Sequence, residues 1–598
     1  MASKTKSKGG LTVKAYSGDA MTMLCFDLQK AKTTDCVGFT IRVETPSGRK
    51  FFLLNRLSFD KKLTTDSDLE DREEASTPTD KAPIQKFRWL HVPGSSFDGK
   101  EEMGEYTYTI TPRYWKNDAL LAPDVDLSVI ISIQVQPFKK GKFALGFTRG
   151  FMISQAYARR FGNDSEIEPK DRELLFDVNE KSGVYPDDLP VVGGKPFTYK
   201  AQYEWMGWQA KDRLLEVLDE VIDNNKITVD VFAYDLDEPQ ICNRFLTLAK
   251  KGRIRIILDN SSGHKSTADE DSMEDLFEQE FESVRTGAAT LIRCKFGRQA
   301  HQKTFILKKS KKPFKVVTGS TNLAVNGLYI NANHVIVIEN KKVADLYQKV
   351  FDLSFDHFSK TPVPEITELK KNQEFKKQFN FREAGLPAMK ISFAPHTETD
   401  ANTVMNDLND ALLNAKDSIL FAVMAMDSDI SGPVIPTLRE MHKNDAIFSY
   451  GVTDKYDGVV VFKPDSKRGK MVSTQKLQRN LPKPFNKELS IGLKHKIHHK
   501  FVIIDFKSAK AKVYCGSSNL ALLGEQQNND NLLEINDTDI ATAFAIEAIR
   551  LVDHFHFRAS MVNATNSDPL MLKKSDIWLK DYYKEGHMKK IEREYFIE

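Results

Sequence analysis

Cysteine is scarce in this chain: 598 residues carry five, Cys25, Cys36, Cys242, Cys294 and Cys515, with no Cys-x-x-Cys pair and no Cys/His cluster. That scatter excludes a disulfide framework and a zinc site, and leaves small buried thiols in a reducing compartment. Also missing is an uninterrupted apolar run long enough to cross a bilayer. The segment Met1–Gly10 is positively charged but no apolar stretch follows it, so it does not read as a secretory signal. A cytoplasmic protein is the expectation, with signal-peptide-independent secretion as the other route. An excess of one charge is absent too: the formal net charge is +3, and the total points to no partner. Hydrophobic residues at 41% and charged residues at 28% are the proportions of an ordinary globular protein, and the length asks for two or three domains.

What is present begins with short alternating or β-branched stretches, Leu11–Tyr16, Val37–Val43, Tyr106–Ile110 and Val129–Val135, separated by Pro, Gly, Asp and Ser. They predict an all-β, sandwich-like domain over 1–155, with the polar run near 63–80 as an exposed loop. This region holds no catalytic cluster and reads as a support or docking module. Residues 156–198, acidic and containing Pro and Gly, break the periodicity and read as a linker or long connection.

From residue 199 the pattern becomes helix followed by strand. Helices at 210–222 and 241–250 lead to strands Thr228–Tyr234 and Ile254–Leu258, and an acidic amphipathic helix over 269–284 precedes Thr290–Cys294. Strands Phe314–Thr318 and His334–Ile338 and a helix to about Phe358 complete a mixed α/β unit at 199–365. After a connector at 366–388 the order returns: helices at 402–416 and 433–443, then strands Ile419–Met424, Ala446–Tyr450, Gly458–Phe462, Phe501–Ile504 and Val513–Cys515. A last helix starts near Asp539, so a second lobe is placed at 389–598, with a basic insertion at 462–497. The expected fold class is α/β, two duplicated lobes with mixed sheets behind an all-β domain.

Each lobe carries one copy of a short motif. His301-Gln302-Lys303 is followed by Gly319-Ser320-Thr321-Asn322, and His498-His499-Lys500 by Gly516-Ser517-Ser518-Asn519. One copy is compatible with an ordinary edge strand and turn; two in one chain point to phosphodiester chemistry. On extended chain His and Lys share one face while Gln302 and His499 take the other. Symmetric packing of the lobes would put both sets around one phosphate. Lys303 and Lys500 would then neutralise its nonbridging oxygens, Asn322 and Asn519 donate amide hydrogens, and Ser320 and Ser517 donate hydroxyl hydrogens.

Paired imidazoles suit a two-step route, in which one attacks phosphorus while the other protonates the leaving oxygen and then activates water. No metal and no other cofactor is expected, because the lysines supply the positive field and no carboxylate cluster accompanies the histidines. Glu339 and Glu534, each at the end of the strand after a Gly-Ser turn, are candidate supports for the histidines' other ring nitrogens. An exposed strand-end glutamate is the plainer alternative. His495 and His499 read as solvent-facing or supporting residues.

These paired motifs resemble the phospholipase D superfamily, whose duplicated signature is His-x-Lys, then an Asp, then a Gly-Ser turn. The resemblance covers roughly residues 200–560. The second copy matches with His498, Lys500, Asp505, Gly516, Ser517 and Asn519, whereas the first has Lys308 where the supporting Asp would stand. By resemblance the fold is a duplicated phospholipase D-like one, His301 is the nucleophile and His498 the general acid/base; the symmetry of the copies allows the reverse. The superfamily includes phospholipases, phosphatidyltransferases and nucleases, so membership leaves the substrate open.

The insertion is rich in Lys and Arg, among them Lys463, Lys467, Arg468, Lys470, Lys476 and Arg479, a composition suited to tracking several phosphates. Arg293, Lys295 and Arg298 add basic groups before the first motif. An anionic phospholipid surface would be attracted by the same charge, and a solvated loop is the bland reading. Few aromatics accompany these residues, so no base-stacking platform is read there. The expectation is a metal-independent phosphodiesterase acting through a phosphohistidine. Nuclease-like cleavage of DNA or RNA stands narrowly ahead of phospholipase D or phosphatidyltransferase activity, and a catalytically inactive nucleic-acid-binding protein is the third reading. With both copies in one chain, no obligate protein partner is needed to assemble one site.

Overall fold

The computed structural model of the chain describes residues 3–598 apart from 65–75, 95–101, 151–153, 171–172, 188, 190–191, 269, 361–364, 427–429, 456–468 and 474–496; for 154–155, 455, 469–473, 558–559 and 561–563 only the backbone is described. Runs of β-branched and aromatic residues build two eight-stranded mixed sheets. In spatial order the first sheet runs Lys139–Lys140, Phe143–Phe147, His334–Ile338, Lys312–Gly319, Thr304–Lys309, Ile227–Ala233, Ile254–Asp259 and Thr290–Cys294. The second runs Phe379–Phe381, Ala388–Phe393, Asn531–Asn536, Lys512–Gly516, Phe501–Ile504, Ser418–Ala425, Phe448–Lys455 and Gly469–Ser473.

Strand for strand the two orders coincide, and so do the pairing senses. Ile227–Ala233 and Ser418–Ala425 each pair parallel on one side and antiparallel on the other. Parallel neighbours need a crossover, supplied in the first lobe by the helix Pro239–Lys250. That helix starts where the sequence dictates: Pro239 occupies its first turn and the Glu238 side chain accepts from the Ile241 N–H at 2.7 Å. The predicted strand Gly458–Phe462 lies outside the described residues, and the outer strand of the second sheet is Gly469–Ser473.

The strand Phe143–Phe147, which the sequence reading groups with the N-terminal region, pairs with His334–Ile338 and thus extends the first lobe's sheet. Within 156–198, read as a connection, Phe161 and Phe176 are buried, and Phe176 packs edge-on against Tyr199 at 5.3 Å. The lobes join through two equivalent aromatic contacts. Phe147 of the first sheet meets Phe544 at 5.3 Å, and Phe393 of the second meets Tyr347 at 4.8 Å, both at 86°. Each such pair contributes about 1 kcal/mol beyond its burial.

Ahead of the lobes lies an antiparallel β region of two sheets. One orders Ser3–Lys8, Leu11–Ser17, Thr22–Leu28 and Arg88–His91; the other is built on Gly104–Lys116, with Cys36–Glu44 and Val129–Val135 among its partners. Alternating residues of both sheets, including Val13, Phe26, Ile41, Tyr108 and Ile131, share one hydrophobic core. The C-terminus returns to it: Trp578 and Tyr582 pack on Phe87, Arg593 pairs with Asp27, and Tyr16 Oη donates to the Phe596 carbonyl at 2.7 Å. All five cysteines are buried and free, as expected.

Candidate active site between the two lobes

Both His-x-Lys triplets lie in extended chain immediately before a buried strand, Thr304–Lys309 in one lobe and Phe501–Ile504 in the other. All four histidine and lysine side chains of the two sets are buried. The segments before the motifs cross between the lobes: the His498 N–H donates to the Ala332 carbonyl at 3.1 Å, and the Asn529 N–H to the Gln299 carbonyl at 2.9 Å.

Each histidine is held by the opposite lobe. His301 Nδ1 bonds Asp530 Oδ1 at 2.7 Å, and His498 Nδ1 bonds Asn333 Oδ1 at 2.9 Å. Asn333 and Asp530 are equivalent positions, each 13 residues after the serine of its own Gly-Ser turn and each bonded by that serine's hydroxyl at 2.8 Å. Each serine hydroxyl hydrogen is therefore spent on its bracing partner. Ser320 and Ser517 brace the groups that hold the histidines, which corrects the expectation that they donate to substrate. Glycine before each serine is obligatory: Gly319 and Gly516 have φ 148° and 139°, and a Cβ would sit 2.2 Å from the His334 carbonyl oxygen and 2.5 Å from that of Asn531.

Glu339 and Glu534 do not reach the histidines. Glu339 pairs with Lys315 at 3.1 Å; Glu534 meets Lys512 at 3.1 Å, Lys390 at 3.3 Å and the Tyr514 hydroxyl at 3.1 Å. Both lie along or beyond the strand that Asn333 and Asp530 precede, too far along it to turn back to the imidazoles. Their lysine partners satisfy them instead. Asp505 is a structural pin: at φ 52° its carboxylate accepts from the backbone N–H groups of Lys416, Asp417 and Ser418 at 2.7–3.1 Å. Lys308, in its place in the first lobe, reaches Asp230 at 2.5 Å.

The lysines fold back onto their own motifs, Lys303 Nζ to the His301 carbonyl at 2.5 Å and Lys500 Nζ to the His498 carbonyl at 2.9 Å. Lys303 also lies 4.5 Å from the centre of the Tyr234 ring. Asn322 donates from Nδ2 to Asp235 at 3.0 Å, while its Oδ1 and that of Asn519 are buried without a partner. Gln302 and His499 point to the opposite face, as the alternation predicts, but both are fully buried, so His499 is not solvent-facing. His495 and the basic side chains of the insertion lie outside what is described. Arg293 carries no spare charge, since Asp275 at 2.5 Å and Glu278 at 3.3 Å take it up.

Burial dominates the electrostatics. It lowers His301 to about 4, with the Lys303 ammonium adding to the effect and Asp530 opposing it. It lowers Lys303 to about 7 and, together with Lys303, drives Lys500 well below the usual lysine range. Burial alone would raise Asp530, but His301 and Lys303 outweigh it and hold the carboxyl below its usual value. Burial thus disfavours the charged lysines, and an anion placed between them would restore their protons.

Behind Tyr234 stands a group that sequence reasoning missed. Asp235, His264 and Glu274 bring one ligand-type atom each within 4.8 Å of one another, the one such group among the described residues. His264 Nδ1 bonds Glu274 Oε1 at 3.0 Å, and Glu274 keeps the imidazole's pKa raised against the lowering effect of burial. The Tyr234 ring touches both His264 and His301, at 4.6 and 4.8 Å. Asp235 lies in the bend after the strand Ile227–Ala233, His264 in the short turn Ser262–His264 and Glu274 on the helix Met273–Val284, and no spacing joins them in the sequence.

Two lobes of one topology, each delivering a His/Lys set into a shared buried site, define a duplicated phospholipase D-like catalytic unit. The family model "Cardiolipin synthase, PLD-like domain" matches residues 218–354 and 408–551, and the chain carries this phospholipase D-like domain twice, the arrangement of the duplicated His-x-Lys phosphodiesterases. This arrangement is consistent with phosphodiesterase chemistry. No curated protein matches the chain significantly in sequence. Among solved structures it is similar to a polyphosphate kinase from Porphyromonas gingivalis (12% identity, 58% of this chain and 49% of that one, TM-score 0.37). It is also similar to phosphatidylserine synthase of Haemophilus influenzae (11%, 64% and 90%, 0.35) and to yeast tyrosyl-DNA phosphodiesterase (11%, 54% and 87%, 0.30). The chain spans about half the length of the kinase. The domain assignment rests on the matched lobes and their motifs, not on these likenesses.

Proposed function

We propose that the protein cleaves a phosphodiester in two displacements, with the phosphoryl group carried on His301. The observation that carries this reading is the pair of cross-lobe bonds, His301 to Asp530 and His498 to Asn333, which commit both Nδ1 atoms and assign the chemistry to Nε2. His301 is neutral near pH 7, with its proton on Nδ1 and a lone pair on Nε2. Nε2 attacks phosphorus, a P–N bond forms, the P–O bond to the leaving group breaks, and His498, protonated on both ring nitrogens at this step, gives the leaving oxygen its Nε2 proton and is left neutral with hydrogen on Nδ1. Water then attacks phosphorus, His498 takes the water's proton, the P–N bond breaks and His301 is restored. Attack makes His301 cationic, and Asp530 is the partner able to offset that charge; an amide such as Asn333 is not. Lys303, Lys500 and the amides of Asn322 and Asn519 balance the phosphoryl oxygens. No cofactor enters these steps.

For the substrate, a phospholipid phosphodiester is favoured, with phospholipase D or phosphatidyltransferase outcome. The description of the matching family model supports it. So do the carboxylates of Asp235, Asp259 and Glu274 gathered beside the first lobe's motif, which would repel a polyanion laid along that side. Nucleic acid is the second reading; it rests on the basic insertion, and Arg293 no longer contributes to it. The paired antiparallel sheets are read as a sandwich-like support. An assay in EDTA comparing phosphatidylglycerol vesicles, DNA and RNA tests both, with wild type and His498→Ala. Lipid turnover lost in His498→Ala supports the first reading, nucleic-acid cleavage alone replaces it with the second, and complete loss in EDTA overturns the metal-free route.

A further inference from the structure

Behind His498 a chain of buried polar groups runs away from the site. Glu547, on the helix Thr538–Asn563, is gripped by Arg550 through Nε and Nη2, each at 2.8 Å, and faces His499 Nε2 at 3.2 Å. His499 Nδ1 lies 3.3 Å from His334 Nδ1, with the two rings stacked at 13°. His334 Nδ1 is also 3.2 Å from Ser320 Oγ, whose hydroxyl reaches Asn333 Oδ1 at 2.8 Å, the same oxygen that receives His498 Nδ1. All seven residues are buried.

The proton positions along this chain follow one from another. Burial would raise Glu547, but Arg550 and His499 outweigh it and keep the carboxylate ionised, so it only accepts and His499 carries its hydrogen on Nε2. Burial keeps His499 neutral, which leaves its Nδ1 a lone pair facing a hydrogen on His334 Nδ1. Ser320 Oγ accepts from that ring and from the His334 backbone N–H at 3.1 Å, and so turns its own hydrogen toward Asn333. Asn333 spends Nδ2 on the Gly327 carbonyl at 2.9 Å, which aims its oxygen at His498. The Ser320 carbonyl oxygen lies 3.1 Å from the same His498 Nδ1, and only hydrogen on Nδ1 satisfies both oxygens.

The other half of the site has no such chain. Gln302 stands where His499 does, and Asn531, in the place of His334, donates instead to Thr318 Oγ1 at 2.6 Å. There the carboxylate of Asp530 meets the catalytic imidazole directly.

We propose that Glu547, His499 and His334 are positioning residues that hold hydrogen on His498 Nδ1 through Ser320 and Asn333, so that Nε2 is the nitrogen that gives and takes the proton and a remote carboxylate does for the general acid what Asp530 does for the nucleophile. The inference rests on the phosphodiesterase reading with His498 as acid. Its test compares Glu547→Gln and His499→Gln with wild type on two probes: dihexanoyl phosphatidylglycerol, or a thymidine dinucleotide if the vesicle assay favours nucleic acid, and bis(p-nitrophenyl) phosphate. An alkoxide leaving group needs a proton and nitrophenolate does not. The variants are expected to slow the alkoxide substrate about tenfold and the nitrophenolate burst less than about twofold. Equal losses on both probes would overturn the proposal, because a merely structural defect does not distinguish leaving groups. If wild type turns over neither probe, the functional reading fails and the imidazole nitrogen shifts of His498 decide. A single Nδ1–H tautomer in wild type that becomes mixed in Glu547→Gln supports the relay, and an unchanged tautomer overturns it.

Discussion

His301 donates across the lobe boundary to a carboxylate, Asp530 at 2.7 Å, whereas His498 donates to an amide, Asn333 at 2.9 Å. Sheet order, serine brace and glycine turn are the same on both sides, and the charge of the partner is not. A duplicated fold supplies two equivalent imidazoles; in the proposed mechanism one difference at the bracing position separates nucleophile from acid. The same asymmetry recurs away from the chemistry, where Asp505 pins three backbone N–H groups and Lys308 in the other lobe pairs with Asp230.

The largest effect expected from breaking this comparison is at the histidines. His301→Ala should lower turnover of every substrate by roughly 10⁴-fold and abolish the burst, while His498→Ala should lower turnover as well, through the water step, yet spare the nitrophenolate burst, read by stopped flow. Next comes the partner charge. Asp530→Asn should cost roughly 10²-fold in kcat and Asn333→Asp about tenfold, measured at saturating substrate; equal losses would mean the charge does not divide the roles. Third, the lowered lysines give a signed pH effect. Lys303 titrates near 10.5 unfolded and about 7 folded, so between these values the unfolded chain holds more protons and the free protein gains stability as pH rises. Tungstate bound at pH 8 should accordingly take up protons, seen by calorimetry in buffers of different ionisation enthalpy. The smallest catalytic effects are expected at the residues moved out of the site. Asp505→Ala should cost roughly 2 kcal/mol of stability in denaturant unfolding with kcat nearly unchanged. Glu339→Gln and Glu534→Gln should leave kcat intact and cost under about 1 kcal/mol.

Much of this was legible because the motifs lie on regular alternation. His301 and Lys303 turn to one face, Gln302 to the other, and the repeat of the triplet announces two lobes. The bracing residues were legible in principle: Asn333 and Asp530 stand at one spacing from the serines, 13 residues. Glu339 and Glu534 share a place near the end of the strand after each Gly-Ser turn, yet they fall at different distances from the strand starts His334 and Asn531. What no local pattern carries is pairing between distant segments. The strand Phe143–Phe147 reads like its β neighbours until it finds His334–Ile338, and the group Asp235, His264 and Glu274 exists only once three elements have packed.

The central claim is one composite site with a covalent intermediate on His301. It is tested most directly by incubating His498→Ala with bis(p-nitrophenyl) phosphate, quenching in alkali and locating the adduct by peptide mass spectrometry. The account predicts a base-stable nitrophenylphosphoryl group on His301, absent when Ala replaces His301 as well. An adduct on another residue, or release of nitrophenolate with no adduct at all, would contradict it.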